Sequence, residues 1–544
     1  MDGNDLIARV LKAEGVEWMA CFPNNPLIEA VAKIGIRPIA FRHERGAIMA
    51  ADGFSRTSDR GGFGVVAVQS QAGAENSLGA IAQSFADNIP ILALPGGVNL
   101  NQIAVRPNYT AVRNWGGITK RVEAVYRADD IVAIMRRAFA SLRNGAPGPV
   151  VVELTADVCA EEVAENRFDR YVSPERARQA PHPAAAARAA EQLLGAKRPM
   201  LWAGAGVLFA DATAELAELA ELTATPVFTT MPGKSAFDER HPLALGAGGM
   251  TTTGPAREWL NTCDVLMALG TSLTRSPYGQ RIPSQAYLVH NCENADEIGK
   301  DESVHLPLPG DAKLALQALI DEVRSRLDEP RDPTAVRAEI AQVRAGWMAD
   351  WEPLLSSDEE PLNTYRVIAE IDRGLDRERS IVTHDAGAPR DSIVPFYTAT
   401  TPHSYVGWGK TTHLGFGIPL LIGAKLAHPD RFCLNLMGDG AFGMSGTDIE
   451  TAVRAGTAIT TVLLNNGGMA TYPGGFPTAR LEYGVSHMGG DYAKIAEGMG
   501  ATGITVRTPS EMTEAIAEAQ KLNAGGTTVL IDVHSNMEER RSRL

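Results

Sequence analysis

The sequence predicts an α/β protein with three domains, each a doubly wound and mostly parallel sheet. Two observations indicate this class. Short apolar runs alternate with longer amphipathic segments along most of the chain, a pattern typical of parallel sheets covered by helices on both faces. The chain also has 544 residues, which is too many for one core and suggests about three domains.

The first predicted domain covers residues 1–165. It begins with an amphipathic helix from Asp5, whose inner face carries the apolar residues at positions 6, 7, 10 and 11. Five apolar runs are predicted as buried strands. They are Trp18–Phe22, Arg37–Phe41, Gly64–Val68, Pro90–Leu94 and Pro149–Leu154.

Residues 166–184 are rich in charge and proline and are predicted as a linker. The second domain, residues 185–325, again alternates strands and glycine turns, with Gly204 and Gly206 forming a partial glycine fingerprint. Residues 326–360 are charged and predicted to be helical, with Trp347 and Trp351 available to pack on a neighbour. The third predicted domain covers residues 355–544.

The third domain contains the stretch that carries the most chemical information. Phe432–Met437 is predicted as a buried strand, Gly438 and Gly440 as a tight turn, and Thr460–Leu464 as the next parallel strand. The helix between the two strands has Ile449, Ala452 and Val453 on its inner face.

Polar side chains follow both of these strands. Parallel strands place their carboxyl ends at the same edge of a sheet, so Asp439 and Asn466 are expected to meet where open α/β sheets bind ligands. Mg²⁺ accepts one or two protein oxygens and completes its coordination with water and phosphate oxygens. The sequence therefore predicts a magnesium site for a diphosphate.

This stretch resembles the signature of thiamine diphosphate-dependent enzymes, Gly-Asp-Gly followed by Asn-Asn, with 24 residues between Gly440 and Asn465. The resemblance is to the acetolactate synthase and oxalyl-CoA decarboxylase group. It implies that thiamine diphosphate and Mg²⁺ are cofactors and that Asp439, Asn466 and the carbonyl of Gly468 bind the metal. Further cofactor-binding residues implied are Asp385, Gly387, Leu414, Gly438, Gly440, Ala441 and Met469, with Leu414 bending the cofactor.

The segment FRHERGAIMAADGFSR resembles the pyrimidine-binding domain of the same family. The resemblance makes Glu44 the carboxyl group that activates the cofactor at the pyrimidine N1′ atom. Partial burial would let this group hold or share a proton near neutral pH. Taken alone, Glu44 would sooner be read as a solvated charge in the first turn of a helix, favoured by the helix dipole. His43 is either a hydrogen-bond partner of this site or a packing residue.

The resemblance implies names for the three domains: pyrimidine-binding, central and diphosphate-binding. In relatives the central domain binds FAD or ADP, or nothing. Cys292 and Asn294 stand where relatives have acidic residues that bind a ribose hydroxyl, which argues against a nucleotide here.

The expected reaction is cleavage or formation of a carbon-carbon bond next to a carbonyl, by decarboxylation or carboligation of a 2-oxo acid. A lyase or decarboxylase acting on an acyl-CoA is the alternative, because Asn-Asn-Gly-Gly and GAFGMSGTDIET are similar to oxalyl-CoA decarboxylase and 2-hydroxyacyl-CoA lyase. A non-catalytic scaffold is the third reading. Candidates for contacting the substrate are Gln71, His413, Tyr472 and Phe476, each of which is alternatively a packing residue.

Composition limits the partners. The formal net charge of −14 argues against nucleic acid, and no apolar run reaches the length that spans a bilayer. The five cysteines are scattered and odd in number, which favours buried thiols over disulfides. A cytoplasmic protein is expected. The resemblance adds a homodimer or homotetramer with the active site at the subunit interface.

Overall fold

The computed structural model describes residues 1–23, 25–58, 62–469 and 475–543. Within these residues three parallel sheets follow one another along the chain, each flanked by helices. The predicted fold class is therefore confirmed.

The first sheet lies in the N-terminal part of the chain. Its strands are β1 (Trp18–Cys21), β2 (Arg37–Ala40), β3 (Gly64–Val68), β4 (Ile91–Pro95), β5 (Arg121–Ala124) and β6 (Val150–Glu153). Its helices are α1 (Gly3–Ala13), α2 (Leu27–Lys33), α3 (Glu44–Thr57), α4 (Ala72–Ala86), α5 (Ala111–Asn114), α6 (Ile131–Arg143) and α7 (Ala156–Cys159). The strand order is β2-β1-β3-β4-β6-β5. The five predicted strands are present, whereas β5 was not predicted because its sequence, RVEA, is only partly buried and has no apolar run.

The second sheet forms the central domain. Its strands are β7 (Pro199–Ala203), β8 (Val227–Thr230), β9 (Ala244–Gly248), β10 (Val265–Leu269), β11 (Tyr287–Cys292) and β12 (Leu306–Pro309). The helices are α8 (Pro183–Gly195), α9 (Ala205–Phe209), α10 (Thr213–Thr223), α11 (Gly254–Thr262) and α12 (Ala312–Arg324). The order β9-β8-β7-β10-β11-β12 is that of dinucleotide-binding sheets, with the crevice between β7 and β10, where the order reverses.

The predicted helical connection is α13 (Thr334–Leu355). Both of its tryptophans are buried, and the rings of Trp347 and Trp351 each lie 5.0 Å from the ring of Phe396 in the third domain. The prediction that they pack on a neighbouring domain is confirmed.

The third sheet follows α13. Its strands are β13 (Ser380–His384), β14 (Tyr405–Val406), β15 (Phe432–Gly438), β16 (Thr460–Asn465), β17 (Thr502–Val506) and β18 (Val529–His534). Its helices are α14 (Thr364–Gly374), α15 (Ala388–Ile393), α16 (Gly417–Ala427), α17 (Asp439–Ser445), α18 (Asp448–Ala455), α19 (Pro477–Tyr483), α20 (Tyr492–Gly498) and α21 (Pro509–Ala524). The order β14-β13-β15-β16-β18-β17 repeats that of the first sheet.

The predicted tight turn at Gly438 and Gly440 is wrong. Strand β15 continues to Gly438, and α17 begins directly at Asp439. Two short helices therefore connect β15 to β16 where one was predicted. Ile449 and Ala452 are buried as expected, whereas Val453 is only half-buried.

Equivalent helices of the first and third domains, α3 and α16, pack directly on each other. A Cβ atom at Gly53 would lie 2.1 Å from the carbonyl oxygen of Leu420, and one at Gly423 would lie 1.9 Å from that of Ala50. Because a side chain at either position would clash with backbone, glycine is required for this close approach. The two domains thus share one hydrophobic core within the chain.

The remaining composition-based expectations concern thiols and membranes. The cysteines are buried and free, as predicted. Among the described residues, no helix combines the length and the apolar character that crossing a membrane requires.

Candidate active site

The third sheet places its predicted site residues around one crevice. Its strand order reverses between β13 and β15, the position at which open α/β sheets bind ligands. Asp385 and Gly387 follow β13, Gly438 and Asp439 lie at the end of β15, and Asn466 follows β16. The residues predicted to bind the diphosphate therefore line adjacent strand ends, as expected.

Asp439 and the loop after β16 are in direct contact. The backbone N–H of Gly467 donates to Asp439 Oδ2 over 3.1 Å, and the N–H of Gly440 donates to Oδ1 over 2.7 Å. Within the loop, the N–H of Gly468 donates to Asn466 Oδ1 over 3.0 Å. These hydrogen bonds hold the proposed metal ligands on neighbouring strands close together.

The chemistry of this donor set fits magnesium. One carboxylate, one amide oxygen and one backbone carbonyl are hard oxygen ligands, and Mg²⁺ takes its other ligands from water and phosphate. Burial raises the pKa of Asp439, because a charged carboxylate is costly away from water. A bound cation would offset that cost.

Small residues shape the neighbouring surface. Gly387 has a φ of +86°, and a Cβ at this position would meet only open space. A Cβ at Gly440 would lie 3.1 Å from Met469 Cγ. Met469 is exposed and Ala441 is buried. A side chain at Gly440 would require the exposed Met469 side chain to shift by a few tenths of an ångström.

Asp385 makes hydrogen bonds that the sequence did not predict. Its fully buried carboxylate accepts hydrogen bonds from the backbone N–H groups of Ala386, Gly415 and Gly417, at 2.8, 2.9 and 2.9 Å. Burial raises its pKa to about 6, against the lowering effect of these donors. Asp385 thus fixes the start of α16 and the loop that precedes it, and direct contact with a cofactor stays a prediction.

Glu44 lies at the first position of α3 and is only 4% exposed. Asn76 Nδ2, from α4 of the same domain, donates to Glu44 Oε2 over 3.1 Å. Gly73 lies beside the carboxylate, and a Cβ there would make only ordinary contact with Glu44 Oε1, at 3.4 Å. Burial of the carboxylate excludes the reading of Glu44 as a solvated surface charge.

His43 caps α3 and is exposed. Its Nδ1 atom accepts a hydrogen bond from the N–H of Arg45 and lies 3.6 Å from Glu44 Oε2. The imidazole therefore borders the Glu44 carboxylate and is not part of the packed core.

The start of α3 also contacts the third domain. Arg45 Nη2 donates to the carbonyl oxygens of Leu414 and Met444, at 3.3 and 3.2 Å. Leu414 is half-buried and packs against the shared core. The predicted pyrimidine-binding and diphosphate-binding regions are thus adjacent within one chain.

The predicted substrate-contacting residues occupy different environments. Gln71, before α4, has a φ of +53°, a strained conformation of the kind that clusters at functional sites. The half-buried imidazole of His413 faces Gly79, and burial, followed by the charge of Arg45, lowers its pKa. Phe476 is exposed before α19. Tyr472 lies outside the described residues.

A cavity of about 190 Å³ lies at the crevice of the central sheet. It reaches the other two domains through Asp87 and Lys410, and its lining includes Gly206, Cys292 and Glu293. Position 292 is a cysteine where relatives have an acidic residue, but the next residue, Glu293, contributes a carboxylate to the lining of this cavity. Burial raises the pKa of Glu293.

Comparison with known proteins agrees with this geometry. Family models described as thiamine pyrophosphate enzyme, a synonym of thiamine diphosphate enzyme, match as N-terminal TPP binding domain (residues 1–124), central domain (186–319) and C-terminal TPP binding domain (385–533). A probable acetolactate synthase large subunit of Methanocaldococcus jannaschii is 30% identical over 546 residues, covering 95% of this chain and 90% of the relative. The one from Methanococcus aeolicus is 29% identical over 550 residues, with the same coverage. Acetolactate synthase isozyme 3 large subunit of Escherichia coli is 27% identical over 561 residues, covering 98% and 94%.

The fold and the site together define a thiamine diphosphate-dependent enzyme whose chemistry is at carbon-carbon bonds. The chain belongs to the acetolactate synthase-like family of these enzymes.

Sequence reasoning missed several residues that organise the site. Asn76 contacts Glu44, and Arg45 contacts the backbone beside Leu414. Gln83 of α4 and Asp87 at the C-terminal end of α4 contact the loop that carries Leu414. Arg45 was detectable as the neighbour of Glu44, whereas the others contact residues far away in sequence.

Proposed function

We propose that the protein catalyses decarboxylation or carboligation of a 2-oxo acid, with thiamine diphosphate and Mg²⁺ as cofactors. The observation that carries this proposal is the contact between the Asp439 carboxylate and the loop of Asn466 at the carboxyl ends of β15 and β16. The names of the relatives support a 2-oxo acid as the substrate class, because acetolactate synthases are enzymes of that chemistry.

The residues of this chain have separate tasks in the proposal. Asp439, Asn466 and the carbonyl of Gly468 would hold Mg²⁺ for a diphosphate. When bound, thiamine diphosphate would supply a C2 carbon that is nucleophilic towards a carbonyl once its proton has been lost. The buried Glu44 carboxyl holds or shares a proton at the pyrimidine N1′ atom. Leu414 would support the bound cofactor, and His413 and Gln71 would face the substrate.

The substrate class has a direct test. Purified protein with thiamine diphosphate and Mg²⁺ should convert pyruvate into acetolactate or acetaldehyde, with turnover lost when either cofactor is withheld. Oxalyl-CoA and a 2-hydroxyacyl-CoA are assayed under identical conditions. Turnover of a CoA thioester without turnover of pyruvate or of other 2-oxo acids would replace this proposal with the acyl-CoA alternative.

We further propose a closed symmetric homodimer, or a dimer of such dimers, in which Glu44 of one subunit serves the metal site of the other. The Glu44 carboxylate is hydrogen-bonded within its own domain, to Asn76. Helix α19, just beyond Met469, exposes Leu481 and Tyr483 at 87% and 80%. Such large apolar side chains beside a site favour burial against a partner.

Mixing two inactive variants tests this arrangement. Glu44→Gln and Asp439→Ala proteins, unfolded and refolded together, should regain about a quarter of wild-type turnover. Random pairing makes half of the dimers mixed. If each site takes Glu44 from one chain and Asp439 from the other, one of the two sites in a mixed dimer has both residues intact, which gives a quarter of the wild-type sites. Each variant refolded alone is the control. No recovery in a mixture that light scattering shows to be dimeric would place Glu44 and Asp439 of each site in one chain.

A further inference from the structure

The loop that carries Leu414 is held by side chains of the first domain. This loop, residues 407–415, is called the Leu414 loop and connects β14 to α16. It also carries His413. Its backbone groups hydrogen-bond to side chains of both domains. From the first domain these are Arg45 and Arg56 of α3, Gln83 of α4 and Asp87 after α4; from the third domain they are His384 and Asp385 at the end of β13.

Asp87, the residue that ends α4, binds two successive N–H groups of the loop. Gly409 N donates to Asp87 Oδ2 over 3.0 Å, and Lys410 N donates to Oδ1 over 3.1 Å. Gly409 has a φ of +119°, which allows both N–H groups to point at one carboxylate. Successive N–H groups arranged in this way form an anion-binding concavity, and here the anion is the chain's own Asp87.

Gln83 binds the next part of the same loop. Its Oε1 atom accepts from Thr411 Oγ1 over 2.8 Å and from His413 N over 3.3 Å. Gln83 Nε2 in turn donates to Asp87 Oδ2 over 2.8 Å. The two side chains therefore act together on residues 409–413.

Arg56 of α3 connects this pair to the rest of the first domain. Arg56 Nη2 lies 2.9 Å from Asp87 Oδ2, and its Nη1 donates to the carbonyl oxygen of Gly407 over 3.3 Å. Its guanidinium also pairs with Asp52, which accepts from Ser84 Oγ over 2.7 Å. All of these side chains are buried. Buried charges are tolerated only when paired and hydrogen-bonded, so the network has one well-defined geometry.

We propose that Asp87 and Gln83 are positioning residues that set the location of His413 and Leu414 above the diphosphate-binding crevice. The proposal rests on the proposed function, because Leu414 matters only if it supports a bent cofactor. Helix α3 carries Glu44 at its start and Arg56 near its end, so in the proposed dimer this helix links the Leu414 loop of one site to the Glu44 carboxyl that serves the other site.

The first experiment uses protein without cofactor. Asp87→Asn keeps the size of the side chain but replaces one of its acceptor oxygens with a donor. We expect peptides covering the Leu414 loop to exchange their amide hydrogens at least about tenfold faster than in wild type. Asp311→Asn is the matched control, because Asp311 is also buried and accepts from the N–H groups of Lys313 and Leu314 at 3.0 and 3.2 Å. It should leave exchange of the loop unchanged.

The second experiment separates positioning from binding. In Asp87→Asn the calorimetric affinity for thiamine diphosphate with Mg²⁺ should stay within about threefold of wild type, because Asp439 and Asn466 are intact. Exchange of the cofactor C2 hydrogen should slow at least about tenfold. Combining Asp87→Asn with Leu414→Ala should slow it no further than the slower single variant, since both act through one loop.

A second, less disruptive variant covers the case in which Asp87→Asn does not fold. Gln83→Leu removes the acceptor for Thr411 and His413 while leaving the Arg56 pairs in place, and it should show the same two effects. Wild-type loop protection and wild-type C2 exchange in the folded variants would overturn the proposal. If the wild-type protein itself binds no thiamine diphosphate, the proposed function fails instead, whereas the loop protection data still report on the hydrogen bonds.

Discussion

We expect the Asp439→Ala variant to bind neither thiamine diphosphate nor Mg²⁺ measurably in a calorimetric titration, because it lacks the carboxylate proposed to join the metal to the protein. The metal and the diphosphate each complete the other's site, so loss of one removes the other. We expect an apparent affinity at least about 1000-fold weaker than that of wild type, with turnover lost in parallel. The effect follows from the burial of Asp439 and its contact with the Asn466 loop.

Two controls make this result specific. Asp439→Asn keeps one oxygen but removes the charge, and it should bind more tightly than Asp439→Ala and more weakly than wild type. Both variants should melt close to wild type in the absence of cofactor. Unchanged cofactor affinity in Asp439→Ala would show that the metal site is elsewhere.

We expect the Glu44→Gln variant to retain cofactor binding but to slow exchange of the C2 hydrogen by at least about 100-fold. An amide can still pack in the buried position beside Asn76 and Gly73, but it cannot hold or share the proton that a carboxyl group can. The measurement is the rate at which deuterium enters C2 of the bound cofactor, read by proton NMR after acid quench.

Variants at the substrate-facing positions provide the contrast. His413→Ala and Tyr472→Phe should leave C2 exchange near the wild-type rate and change turnover or the ratio of products. Wild-type exchange in Glu44→Gln would remove its activating role. Unchanged products in both other variants would move the substrate site elsewhere.

The sequence was sufficient for the fold and for the residues at the strand ends. Buried parallel strands such as β15 and β16 are continuous apolar runs, so the polar residues that follow them stand out. That is why the sequence predicts the positions of Asp439 and Asn466 correctly. Glu44 is instead identified by the resemblance of its segment to a pyrimidine-binding domain, and it lies at the start of α3. The short edge strand β5 lacks such a run and was missed.

Contacts between domains were not predictable from local pattern. Asp87 and Gly409 are 322 positions apart, and neither lies in a periodic segment that indicates a partner. The packing of α3 on α16 brings the first domain against the third, and it depends on Gly53 and Gly423, whose close approach to backbone appears only in three dimensions. The contacts of Asp385 with the N–H groups of Gly415 and Gly417 lie within the third domain, and local pattern did not predict them because they join residues 30 and 32 positions apart.

Titration of thiamine diphosphate into the wild-type protein, with Mg²⁺ and then with the metal chelated, tests the central claim most directly. We expect one thiamine diphosphate bound per chain in the presence of Mg²⁺ and binding too weak to measure once the metal is removed. Absence of binding under both conditions, in a folded protein, would contradict the assignment of Asp439, Asn466 and Gly468 to a magnesium diphosphate site.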